Sequence, residues 1–383
     1  MIALRDYQVP AVAALLGNRR GIIQSPAGSG KTIIGAASTY RWSAPRSRLA
    51  RRKMRVAWVA NTTEQCDQAR RALEAFPDIA QFADVTVCCY QAGLSLASFE
   101  LVLLDECHHI SAPEFRKILE FHEGWRWGLS ATPTRADELA GDVFTLIGPI
   151  VHIVAREALI DAGQLAKAKV FIHQPNSPNE MERAISELAD PLYVARKARW
   201  PYMFKNPKQD AEQKARCIWQ VALKAGIAEN SKRNAKIISL ALAHRNDSHL
   251  IIIGSVEHGK ALQEKIPGST VVYSKMGKKA RREAIAAFQS GELKTMIATS
   301  LADEGLDVPR ANVLTLAASG RSAAKAEQRT GRVLRSFHEK THGIIHDFMD
   351  VQHFFLHAQS KRRISLYRSL GYEVNFQTEG NLL

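Results

Sequence analysis

The octapeptide SPAGSGKT (residues 25–32) gathers the residue types that bind a polyphosphate. It follows the apolar run GIIQS (21–25) and opens a helical stretch, the strand–loop–helix context that a phosphate-binding loop needs. Small residues at Ala27, Gly28, Ser29 and Gly30 let backbone N–H groups close around an anion, and the helix N-terminus adds a favourable dipole. Lys31 is placed to reach the β- and γ-phosphates of a nucleotide, and the Thr32 hydroxyl to ligate Mg²⁺. Ser25 stands where the GxxxxGK[ST] pattern has its first glycine. A second element complements the loop. LVLLDECHH (101–109) sets Asp105 and Glu106 at the end of a hydrophobic strand, and in a parallel sheet that end lies beside a phosphate loop. Asp105 is suited to hold the metal, and Glu106 to orient and deprotonate an attacking water. A metal centre on Cys107, His108 and His109 is disfavoured, because consecutive residues at a strand end cannot all face one ion. No GxSxG pattern marks a serine hydrolase.

These groups need a scaffold, and the hydrophobic runs supply it. GIIQS (21–25), RVAWVAN (55–61), VTVCCY (85–90), ELVLLDE (100–106) and RWGLSAT (126–132) read as strands, with helices expected at 63–76 and 113–121. Near-continuous apolar character suits strands buried on both faces of a parallel sheet. The rhythm returns in HLIIIGS (249–255), TVVYS (270–274), KTMIATS (294–300), NVLTLA (312–317) and GIIHDF (343–348), with helices at 256–265, 278–289 and 323–334. The expectation is an α/β chain of two lobes, each a mostly parallel sheet with flanking helices. A first lobe is expected over 1–165, a linker and helical accessory segment over 166–236, a second lobe over 237–355 and a basic tail over 356–383, forming a last helix or a loose end.

Composition bounds the partners. The 383 residues include 52 Lys and Arg against 38 Asp and Glu, a net charge of +14, which favours a polyanion such as nucleic acid. Seven basic residues and no acid stand between Arg41 and Arg55. From Arg196 to Lys236 eleven basic residues face three acids, with Trp200, Tyr202, Phe204 and Trp219 interleaved. Basic groups can neutralise phosphates and exposed aromatics can stack on bases, although the same aromatics would serve a local helical core. Five cysteines with no CxxC pair argue against a disulfide framework or structural zinc. No apolar run approaches the ~20 residues of a membrane span, and MIALRDYQVP lacks a signal-peptide pattern, so a cytoplasmic protein is expected. RRKMR (51–55) has the make-up of a nuclear signal as well as of a solvated basic loop.

With both lobe patterns in view, the chain resembles a superfamily 2 helicase of the DExH type, with two RecA-like lobes, over about residues 4–335. LRDYQ (4–8) resembles the glutamine motif, where Gln8 would read adenine. AWVANTTEQ resembles motif Ia, with Thr62 at the nucleic-acid position and Thr63 where many members carry arginine. CYQ (89–91) resembles motif Ib, DECH (105–108) motif II, and SAT, with Ser130 and Thr132, the coupling motif III. IIIGSVEHGKAL (251–262) resembles motif IV. In ATSLADEGLDVP (298–309), resembling motif V, Thr299 would touch the strand while Gly305 and Asp307 lie near the nucleotide. EQRTGRVLR (327–335) resembles motif VI, which would put Gln328 at the γ-phosphate and make Arg332 and Arg335 arginine fingers.

The resemblance implies an ATP- and Mg²⁺-dependent helicase or translocase that binds ATP between its lobes. The stretches GLSATPTRAD and GPIVHIVAREALIDAGQLA add a likeness to the XPB-like and UvsW-like branch. That branch mostly handles duplex or branched DNA, so DNA is favoured over RNA, with Arg196, Lys197 and Arg199 as a candidate accessory grip and a monomer expected. The alternatives are an RNA helicase of the same fold, or an ATP-dependent clamp or ATPase subunit of a larger complex.

Overall fold

Apolar runs of four to seven residues become the strands of two parallel sheets. The computed structural model describes residues 3–26, 28–131, 140–299, 308, 310–318, 330 and 342–377, and it divides into two units, Met1–Leu165 and Ala166–Leu383.

In the first unit the strands are β1 (Arg20–Gln24), β2 (Met54–Ala60), β3 (Ala83–Cys89), β4 (Leu101–Asp105), β5 (Trp125–Ser130) and β6 (Ile150–Ile153). They lie in the order β3-β2-β4-β5-β1-β6, every neighbour parallel. Leu101 to Leu104 have no exposed surface, as expected of a central strand covered on both faces. The helices are α1 (Gln8–Gly17), α2 (Lys31–Ala50), α3 (Thr63–Glu74), α4 (Ile79–Phe82), α5 (Pro113–Arg116), α6 (Ala140–Ile147) and α7 (Arg156–Asp161). Helix α2 lies tight on the sheet because Gly35 offers no side chain. A Cβ there would sit 2.7 Å from the Trp58 ring and 3.0 Å from Leu129. The helix expected at 113–121 is one turn, α5, followed by a 3₁₀ turn at Lys117–Leu119. Ile118 and Leu119 turn inward there and Phe121 takes φ 61°, which stops the helix.

The second unit holds β7 (Lys167–His173), β8 (His249–Ile252), β9 (Ser269–Val272), β10 (Thr295–Ala298), β11 (Val313–Leu316), β12 (His342–Phe348) and β13 (Glu373–Gln377), again all parallel, in the order β13-β7-β12-β11-β8-β10-β9. Its helices are α8 (Glu182–Arg199), α9 (Pro207–Leu223), α10 (Ser231–Ala243), α11 (Val256–Gln263), α12 (Lys278–Ser290) and α13 (Phe354–Ser369). Two strands fall outside the expected second lobe. β7 sits in the stretch read as a linker and pairs with β12 over seven residues, from Lys167 with His342 to His173 with Phe348. β13 sits in the stretch read as a tail and pairs with β7. The accessory helices have their own small core of Ile185, Ala222, Ile227 and Leu356, and Trp219 packs against it.

One buried network ties these pieces to the sheet. Arg233 of α10 is fully buried and donates to Asp350 at 2.9 Å and to the carbonyls of Leu316 and Ala317. Arg363 of α13 donates to Asp347 at 2.8 and 3.0 Å, and the Tyr367 hydroxyl donates to the same carboxylate at 2.7 Å.

Candidate nucleotide-hydrolysis site

The loop after β1 owes its path to two left-handed glycines, Gly28 at φ 88° and Gly30 at φ 78°, a conformation that costs other L-residues about 1–2 kcal/mol. Ser25 is buried and its hydroxyl donates to the Ser29 hydroxyl at 2.5 Å. The serine in place of the usual glycine therefore pins the two ends of the loop together. The Ser25 amide donates to the Ser130 carbonyl at 2.9 Å, tying the loop to β5. From below, Gln8 Nε2 and the Tyr7 hydroxyl both donate to the Ser29 carbonyl, at 3.1 and 3.2 Å. Gln8 Oε1 accepts from the Arg5 amide at 3.1 Å. Gln8, expected to read adenine, thus has its amide engaged in holding the loop. Lys31 and Thr32 are the first two residues of α2, so both face the loop from the helix N-terminus.

The acidic pair comes from the end of β4. Asp105 is its last residue and Glu106 turns out of the strand at φ 45°, which swings its side chain back toward the loop. Lys31 Nζ lies 3.1 Å from Glu106 Oε1. Asp105 Oδ1 accepts from the Glu106 amide at 2.9 Å, and the Tyr90 hydroxyl donates to the Asp105 carbonyl at 3.1 Å. The Ser130 hydroxyl donates to Glu106 Oε2 at 3.5 Å and lies 3.1 Å from His108 Nδ1. The second and third motifs therefore meet at one carboxylate. Burial and the neighbouring Glu106 charge push Asp105 up to about 6, although Lys31 opposes the rise. Glu106 feels the same burial, yet Lys31 and His108 beside it hold its carboxyl below the ordinary value. Burial and the two carboxylates keep the Cys107 thiol protonated, so it is no nucleophile. Two buried carboxylates facing a single lysine, with the Thr32 hydroxyl on the adjoining helix, make an all-oxygen donor set of the kind Mg²⁺ takes.

Other expected residues fall elsewhere. Thr62 caps α3 in a reciprocal box with Gln65, whose amide it accepts from at 3.3 Å. In the second unit, the Thr299 amide donates to the Val272 carbonyl at 3.2 Å, at the end of β10. Arg196, Lys197 and Arg199 share the last turn of α8. Lys197 pairs with Asp210 at 2.8 Å, Arg199 stacks on Trp200 at 4.8 Å, and Arg196 lies 3.9 Å from Cys217 Sγ. Ala27, Thr132, Gly305, Asp307, Gln328, Arg332 and Arg335 lie outside the described residues. Tyr7 and Tyr90 were not anticipated at the site. Their partners are 22 and 15 residues away, and no short-range pattern announces such contacts.

Comparison with known proteins bears on this arrangement. The model of the helicase conserved C-terminal domain matches residues 232–337, and that of the type III restriction enzyme res subunit matches 1–91 and 83–135. The DNA 3'-5' translocase XPB2 of Sulfurisphaera tokodaii is 26% identical over 360 residues, covering 87% of this chain and 79% of that protein. The DNA 3'-5' helicase XPB of Kineococcus radiotolerans is 25% identical over 353 residues, covering 87% and 57%. Among solved structures, the Pyrococcus furiosus Hef helicase domain superposes with a TM-score of 0.54 at 16% identity, covering 90% of this chain and 95% of that one. The chain spans 66% of the length of one curated relative, 79% of another and 52% of a third.

Proposed function

The chain is a superfamily 2 helicase with two RecA-like units, and we propose that it hydrolyses ATP to drive movement along DNA, acting on duplex or branched substrates. The observation that carries this reading is the Lys31–Glu106 pair at 3.1 Å, with Asp105 beside it, where a phosphate loop and a strand end converge.

The residues divide the work. Backbone amides of the loop and the N-terminus of α2 hold the phosphates. Lys31 leaves Glu106 for the incoming phosphate oxygens, since each offers the ammonium an anionic partner and the phosphates carry more charge. Glu106, released and still ionised, accepts a proton from the attacking water as the γ-phosphoryl group is transferred, giving ADP and phosphate. Mg²⁺, when bound by Thr32 and Asp105, would neutralise charge on the phosphates. The likeness to motif VI would give Arg332 and Arg335 the role of guanidinium donors to the phosphates, worth on the order of 10³–10⁵ in rate. DNA is the proposed track because the relatives carry DNA translocase and DNA helicase names and the chain has a net charge of +14.

The test is steady-state ATPase activity without nucleic acid and with single-stranded, duplex and forked DNA and RNA, beside a Lys31→Ala control. Stimulation by duplex or forked DNA, lost in Lys31→Ala, is expected. Stimulation by RNA alone would replace DNA as the track. Lys31-dependent activity indifferent to every polymer would overturn the motor reading.

A further inference from the structure

The seven cations between Arg41 and Arg55 have no part in the nucleotide site. They occupy the second half of α2, its exit and the start of β2. A cavity of about 340 Å³ opens there, lined by Trp42, Arg46, Leu49, Met54, Glu100 and Trp125. Met54 and Trp125 begin β2 and β5, so the cavity lies at the N-terminal ends of the parallel strands. The phosphate loop and Asp105 lie at the C-terminal ends of the same sheet. At about 3.3 Å per residue, the strands put roughly 15–20 Å between the two.

The wall of this cavity is a cation held on two indoles. The Arg46 guanidinium carbon lies 4.8 Å from the Trp42 ring and 4.7 Å from the Trp125 ring, and the two indoles meet edge-on at 6.0 Å. Arg46 Nη1 donates to the Trp42 carbonyl at 3.1 Å, and among the described residues no carboxylate pairs with it. Burial without an acid to offset it pulls the Arg46 pKa below its ordinary value. The one acid of the lining is already satisfied. Glu100 accepts from Arg52 at 2.8 and 3.1 Å and from the Arg55 amide at 3.0 Å. The rim is apolar at Leu49, which is 88% exposed. Arg51 directly follows Ala50, another lining residue, and is exposed.

A partner for this place must be anionic, to meet Arg46 and exposed neighbours such as Arg51, and must offer a flat apolar face, to meet Arg46 and the indoles. A carboxylate-bearing peptide supplies only the first. A nucleic-acid strand supplies both, since bases stack on aromatic and guanidinium planes while phosphates contact neighbouring cations. We propose that this cavity is a second nucleic-acid site, taking a base of a single strand against the Arg46–Trp125 wall and its phosphates along the exposed cations of residues 41–55. The site stands on the face away from the hydrolysis chemistry and requires no nucleotide. It would hold a strand that the motor is not gripping.

The experiment measures binding of a short fluorescent oligothymidine to the full chain by anisotropy, without nucleotide and over a salt series. Wild type is compared with Arg46→Ala, Trp125→Leu and Arg51→Ala, each checked for folding by thermal melting and for basal ATPase. Loss of the stacked base in Arg46→Ala should weaken binding about tenfold. Loss of a phosphate contact in Arg51→Ala, a surface change that spares the fold, should reduce the slope of log K against log salt by about 0.7. Basal ATPase stays at the wild-type level. An oligonucleotide bearing iodouracil should crosslink to the peptide containing Trp125. Wild-type affinity and salt slope in all three folded variants would overturn the proposal. So would loss of polyglutamate binding in Arg46→Ala with oligothymidine binding intact, which would make the site one for acidic peptides. Weakened oligothymidine binding in a chain whose ATPase no nucleic acid stimulates would refute the motor and leave this site standing.

Discussion

Acid should unfold the second unit through its buried histidines, well above the range where carboxylates titrate. His173 Nε2 lies 2.9 Å from His346 Nδ1, His346 Nε2 lies 3.0 Å from His244 Nε2, and His244 Nδ1 lies 2.8 Å from Asp247 Oδ2. With every ring neutral the carboxylate fixes all the tautomers. Asp247 accepts from His244, so His244 accepts from His346 and His346 from His173. That leaves the His173 Nδ1 lone pair without a partner among the described residues. Beside the chain, His249 Nε2 lies 2.8 Å from the Thr315 hydroxyl. An added proton must either break a hydrogen bond of the chain or sit on a buried nitrogen, His173 Nδ1 or His249 Nδ1, that has no acceptor among the described residues. Burial, with Lys236 adding to it, lowers His173 to about 4, and burial with His244 lowers His249 to about 3. Burial and the neighbouring His173, His244 and His249 lower His346 in the same direction. The unfolded chain binds protons at these rings near the ordinary 6.5 and the folded chain does not, so stability falls as pH drops below 6.5. The loss levels off only below the folded values. At pH 5 each of His173 and His249 costs about 2 kcal/mol relative to neutral pH. Their sum, about 4 kcal/mol, is a large part of the 5–15 kcal/mol typical of a domain. Thermal melts followed by circular dichroism from pH 7 to pH 5 would read this fall, in a window above most carboxylate titration. His249→Gln, which keeps a donor for Thr315, should flatten the slope by nearly one proton. A stability independent of pH across this window, or an unaltered slope in His249→Gln, would refute the reasoning.

Three further outcomes follow from the geometry. Glu106→Gln should slow single-turnover hydrolysis by about 10²–10⁴ while keeping nucleotide affinity, because Lys31 no longer has to leave an ion pair; a matching loss of affinity would remove Glu106 from the role of base. Gly30→Ala should raise the KM for ATP and lower the melting temperature, because its φ is 78° and the new Cβ would lie 2.6 Å from Gln8 Nε2. Adding Gln8→Ala should restore part of the loss, and strictly additive losses in the double variant would show that no clash exists. Arg233→Met should cost about 3 kcal/mol, the low end for a broken buried pair, because Arg363 Nη2 remains 3.7 Å from Asp350; denaturant titration measures it, and a neutral result would mean the pair contributes nothing net.

Short spacing and apolar run length were enough to place the loop at 25–32, the acids at 105 and 106, and most strands of both sheets. Such features depend on backbone within a few residues: glycines permit the loop, and a short run rich in Val, Leu and Ile suits a strand covered on both faces. β7 was legible in principle, since Ala168, Val170 and Ile172 alternate with the more exposed Lys167, Lys169 and Phe171. β13 alternates as well, with Val374 and Phe376 between Glu373, Asn375 and Gln377. It is an edge strand that buries none of its residues, however, so two apolar side chains in a polar tail were too little to mark it. Only the tertiary structure decided who braces the chemistry. Gln8 under the loop, Ser130 and His108 on Glu106, Arg233 on Asp350 and Arg46 against two indoles are each fixed by how separate elements pack. Most of these partners lie 21 to 117 residues apart in the chain. The sequence alone determined which atoms are available for phosphate chemistry. Packing decided which of them meet, because contact depends on where the sheet carries each element.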